Sequence, residues 1–99
     1  MLLVNIKKVN NIIESISFEG HALYDNYGKD IVCASASSIY ITTVNAILTF
    51  DKDAISYNKE NKVKNIKKDD ITNKLLNNMV NMLKELEKSY KKNIKIVEE

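Results

Sequence analysis

Hydrophobic residues change their spacing several times along this chain, and each change marks an element. Leu2, Val4 and Ile6 alternate with other positions, the period of a strand with one covered face. The alternation resumes over positions 12–18, after Asn10 and Asn11, a pair suited to a tight turn. Together these segments predict a hairpin. The pattern then breaks over positions 20–29, which hold both glycines of the chain. Asp30 opens a mostly apolar stretch to Phe50, rich in Ala and Ser, which predicts a buried helix. The β-branched residues at 39–44 oppose it, because they lose side-chain freedom in a helix. A length of about 20 residues without an internal breaker outweighs them.

Further on, positions 54–57 and 63–66 predict two short strands joined by a polar turn at 58–62. Asp69 and Asp70 can each cap the helix that follows. Its apolar stripe reads Ile71, Leu75, Met79, Met82, Leu83, Leu86 and Tyr90, with Lys and Asn opposite. Positions 94–97 predict a last strand. The order β-β-α-β-β-α-β defines an α+β domain over 1–99, two helices packed with a mostly antiparallel sheet.

Composition narrows the function. All 15 basic side chains are Lys, so the Arg forks that read guanine edges and phosphates are missing. Sequence-specific nucleic-acid binding is not expected. A salt-sensitive RNA contact through the Lys-rich positions 62–68 remains as a separate reading, beside the simpler one of a solvated strand and turn. One cysteine cannot form an internal disulfide, so nothing here points to an oxidising compartment. The N-terminus is apolar for about six residues and then basic, the reverse of a signal peptide. No run is expected to reach the roughly 20 apolar residues that cross a bilayer. The expectation is a cytoplasmic protein with no membrane partner.

The chemistry lies in the broken segment. With Asp30 as N-cap, Cys33 falls in the first helical turn, where free N–H groups and the helix dipole favour a thiolate. Alone, Cys33 reads better as a small buried hydrophobe than as a nucleophile. His21, the only histidine, is no more telling by itself. Together they bracket one loop that can fold back and bring them within hydrogen-bond reach, as a cysteine peptidase requires. The backbone N–H groups of Cys33 and Ala34 are candidate oxyanion donors. Asp30 can orient His21 or simply cap the helix. Ser37, one turn after Cys33, can bond within the site or back to the preceding turn. Asn45 lies about 18 Å further along the helix, too far to join them within one chain. Gly20 and Gly28 can act as loop hinges. Tyr24 and Tyr27 either contact substrate or pin the loop. One His and one Cys are too few for zinc, and neither a metal nor a cofactor is expected.

At these residues the chain resembles the bacterial ribosomal-processing cysteine protease family, Prp. The resemblance rests on Gly20-His21-Ala22, Gly28, Asp30-Ile31-Val32-Cys33-Ala34, Ser37 and Val44-Asn45-Ala46, and the order of elements agrees along the whole chain. It implies a homodimeric thiol protease with His21 and Cys33 as catalytic pair, and Asp30 and Ser37 beside them. It also implies a substrate, the N-terminal extension of large ribosomal subunit protein twenty-seven, whose aromatic and apolar residues before the cut call for a hydrophobic subsite. Positions 23–26 depart from the family pattern, and Ser35 stands where Ala or Gly is common. These departures leave the subsites open. The competing reading is a ribosome-associated module that holds a peptide without cutting it.

Overall fold

A computed structural model describes residues 1–23, 30–58 and 61–99. Its elements follow the predicted order: β1 (Leu2–Val9), β2 (Ile12–Glu19), α1 (Ile31–Phe50), β3 (Ile55–Tyr57), β4 (Lys62–Asn65), α2 (Asp70–Ser89) and β5 (Ile94–Glu98). The five strands form one sheet in the order β3-β4-β2-β1-β5. Three of its ladders are antiparallel, and β5 joins β1 in parallel.

The first hairpin turns at Asn10 and Asn11, both at positive φ (53° and 65°). Their twist matches that of the flanking strands, and Asn tolerates the left-handed region better than most residues. Between Lys7 and Lys8 the register shifts, so Ser15 and Ile13 face consecutive residues of β1 and Glu14 is extra. This bulge explains why Ile13 and Ile16 are both buried although they are three positions apart.

One face of the sheet supplies Leu2, Val4, Ile6, Ile16, Val63 and Ile94 to a core that both helices complete. The core side of α2 is Thr72, Leu76, Met79, Val80 and Leu83. That corrects the predicted stripe: Leu75, Leu86 and Tyr90 pack at its margin, whereas Ile71 and Met82 are about half exposed. Apolar identity drew the stripe toward one edge of the true face, because Thr72 is polar by type and yet buried.

α1, expected as a buried helix, is buried along one face only. Val32, Ala36, Thr43, Val44 and Ile47 face the core, while Ile31, Ile41 and Phe50 are exposed. With 20 residues and a mean hydropathy of 1.6 it is also long and apolar enough to cross a membrane by composition alone, which corrects the expectation that no such run exists. Its Ala, Ser and Thr content hid this. β3 and β4 each sit one residue away from the predicted bounds. Ala54 instead turns the chain, its carbonyl accepting from the N–H groups of Ile66 and Lys67.

Candidate active site

Asp30 starts α1 as predicted. One oxygen of its carboxylate accepts from the N–H groups of Val32 and Cys33, each at 3.0 Å. Its own carbonyl accepts from the Ala34 N–H at 3.0 Å. Cys33 is thereby fixed in the first turn of the helix, half-buried, as a free thiol. The Cys33 and Ala34 amides, the expected oxyanion donors, both donate to Asp30 in this structure. These bonds perform capping, one of the two tasks weighed for Asp30.

β2 ends at Glu19, and the chain turns toward α1 at Gly20. That residue has φ +80°, and a Cβ there would stand 2.5 Å from the Met1 carbonyl oxygen. Gly20 is thus required by a close backbone contact, a static reason distinct from the hinge expected of it. His21 follows, exposed. Ala22 is buried, and its N–H donates to the Cys33 Sγ at 3.3 Å. The Ala22 carbonyl accepts from the Asn93 side-chain amide at 3.0 Å.

Gly20, His21, Cys33 and Ser37 line one cleft of about 410 Å³. Both members of the predicted pair therefore border the same cleft as Ser37. Gly28, Tyr24 and Tyr27 lie outside the described residues. Among the described residues, the apolar wall comes from Leu2, Phe18, Ala36 and Tyr40. Phe18 and Tyr40 contact edge to face. Burial raises the Tyr40 phenol above its ordinary value, and the Tyr57 phenol adds to this, so its hydroxyl stays neutral at physiological pH.

Sequence reasoning misses these two aromatics, although each has a signal. Phe18 follows Ile16 on the inward face of β2 and precedes Gly20 by two residues. Tyr40 lies seven residues after Cys33, two helical turns along nearly the same face. Asn93 has no local signal, being 71 positions from its partner. In the Lys-rich segment, Lys67 pairs with Asp51 at 2.6 Å and Lys68 with Glu14 at 2.7 Å, so two of its charges are already answered.

What the cleft offers is a thiol at a helix start, an imidazole on the same lining and an apolar wall: parts for nucleophilic attack on a peptide held by its side chains. Comparison with known proteins agrees. Residues 1–95 match the family described as cysteine protease Prp. The ribosomal processing cysteine protease Prp of Staphylococcus aureus is 33% identical over 90 residues, 85% of each chain. Crystal structures of that essential S. aureus protease cover the whole of both chains. The one with a covalently linked product peptide has a TM-score of 0.91 at 27% identity. The one with a substrate peptide has a TM-score of 0.84 at 26% identity. A match of this extent in sequence and in fold makes the chain a member of the ribosomal-processing cysteine protease family, Prp.

Proposed function

We propose that this member of the family cuts the N-terminal extension from large ribosomal subunit protein twenty-seven, with Cys33 as nucleophile and His21 as its base. The observation that carries the assignment is the shared cleft, in which His21 and Cys33 line the same space as the apolar wall of Leu2, Phe18 and Tyr40. An extension rich in aromatic and apolar side chains would bury them against that wall. The S. aureus relative, solved with a substrate peptide and with a covalently linked product peptide, supports the same use of the cleft here.

In this reading His21 takes the thiol proton, and the Cys33 sulfur attacks the scissile carbonyl carbon. The C–N bond breaks as protonated His21 gives its proton to the leaving amine. Water then attacks the thioester, frees the acid and restores the thiol. Asp30 holds the helix start, and Ser37 lies one turn from the sulfur on the cleft side. The setting is cytoplasmic, in keeping with a lone free thiol. The working unit is a homodimer, for which the exposed stripe of Ala34, Ser38, Ile41 and Asn45 along α1 supplies a contact face beside the cleft.

One assay tests the assignment. The purified chain is incubated with a peptide spanning the extension, and products are read by mass. Wild type is expected to give one cut, and Cys33→Ala and His21→Ala none while keeping the wild-type circular dichroism spectrum. Full cleavage by folded Cys33→Ala would sink it.

A further inference from the structure

We infer that Asn93 is a positioning residue for Cys33, acting through the backbone of Ala22. The inference rests on the reading of Cys33 as the reactive thiol. Three contacts hold Ala22: its methyl group lies in the core at 1% exposure, its N–H donates to the Cys33 Sγ at 3.3 Å, and its carbonyl accepts from the Asn93 Nδ2 at 3.0 Å. Asn93 is itself held at both backbone ends. Its N–H donates to the Tyr90 carbonyl at 2.9 Å, and its carbonyl accepts from the Leu2 N–H at 2.9 Å. The amide that grips Ala22 is therefore tied to the end of α2 and the start of β1.

The segment needs such a grip. Leu23, directly after the held carbonyl, has φ +56°, a left-handed conformation that costs a non-glycine residue free energy and persists only where its surroundings impose it. The N–H aimed at sulfur belongs to the peptide that joins His21 to Ala22, so one anchorage sets both the donor at Cys33 and the point from which His21 projects. An N–H donor binds a thiolate more strongly than a thiol, because a charged acceptor makes the stronger bond. Asn93 thus holds in place a fixed donor at the Cys33 sulfur. The helix amides cannot substitute for it while Asp30 occupies them.

The test compares wild type with Asn93→Ala and Asn93→Asp, the second keeping the size of the side chain but replacing the donor by an acceptor. The rate of iodoacetamide alkylation of Cys33 is followed from about pH 5 to 10, the span over which protein thiols titrate. Melting temperature is measured alongside, with kcat and KM on the extension peptide. The half-rise of the alkylation curve is expected to move up by about half a pH unit or more, and kcat to fall about five- to tenfold with KM within about twofold. A folded variant whose curve superimposes on that of wild type overturns the inference, whatever its melting temperature. Should Asn93→Ala fail to fold, Asn93→Asp decides the matter by the same curve. Alkylation needs no peptide, so the two readings fail separately. An unshifted variant curve with cleavage intact ends only the role of Asn93, and a shifted variant curve beside a wild type that cuts nothing ends only the peptidase assignment.

Discussion

Phe18 on β2 and Tyr40 on α1 meet edge to face, with ring centroids 5.1 Å apart and planes at 77°, across the wall of the cleft that holds Cys33. Such pairs add about 0.5–1.5 kcal/mol beyond the area they bury. Phe18→Ala is therefore expected to cost about 2 kcal/mol of stability, less than a fully buried Phe, in urea unfolding. In peptide cleavage the same variant should raise KM about tenfold with kcat nearly unchanged, since the wall binds side chains remote from the reacting carbonyl. Tyr40→Phe keeps the ring and should change either quantity little. A Phe18→Ala enzyme with wild-type KM would remove the wall from substrate binding.

Gly20 allows a sharper forecast. An added methyl group would meet the Met1 carbonyl oxygen at 2.5 Å, on a backbone already at φ +80°. Gly20→Ala should lose about 1–2 kcal/mol from the left-handed conformation alone, with the clash in addition. A melting temperature equal to that of wild type would show that the start of β1 yields freely.

Ile41 is 54% exposed in the middle of the outward face of α1. Ile41→Asp should leave the monomer folded, because the side chain contributes little to the core, and should convert the proposed dimer to monomer in sedimentation velocity. A charge at the centre of a two-fold contact is repeated by its own symmetry mate. An unchanged sedimentation coefficient would rule out a dimer contact through this face.

Acid stability should be set by exposed, paired carboxylates. Lys68 lowers Glu14, Lys67 lowers Asp51, the Thr72 bonds at the helix cap lower Asp69, and Lys84 lowers Glu98, each from ordinary values of 3.8 or 4.5. A group lowered on folding adds stability that is complete above its unfolded value and is lost as pH falls through its folded value. The melting temperature should thus hold from neutrality to about pH 5 and decline below about pH 4. Lys67 runs the other way: raised above 10.5 by Asp51, it adds stability below that value and loses it as pH climbs through its folded value. All of these groups lie at the surface, so added salt should flatten both limbs. A melting temperature constant down to pH 2 would contradict the assignment.

Much of this was legible in the chain. Asp30, Cys33 and Ser37 follow from local rules, since a cap, a first turn and a four-residue step need no knowledge of distant contacts. The Asn10-Asn11 turn and the strand alternation are local in the same sense. The bulge at Glu14 was not read, because it is a relation between two strands. The face of α2 was read off-centre, because Thr72 is buried by position and not by type. Asn93 is invisible for the same kind of reason: its partner comes to it through the pairing of both β2 and β5 with β1. The cleft wall lay between these cases, legible in principle from Phe18 and Tyr40 but eclipsed by the two nearer tyrosines.

The single carboxylate oxygen of Asp30 that holds two N–H groups bears on the design of covalent inhibitors. A warhead such as an aldehyde or nitrile, chosen to place a developing anion at the start of α1, would have to compete with that oxygen for the Cys33 N–H. Selectivity is better sought at the other end of the cleft, by joining a mild electrophile for the sulfur to a flat aromatic group that stacks beside Phe18 and Tyr40. Compounds of that shape would leave the helix terminus undisturbed.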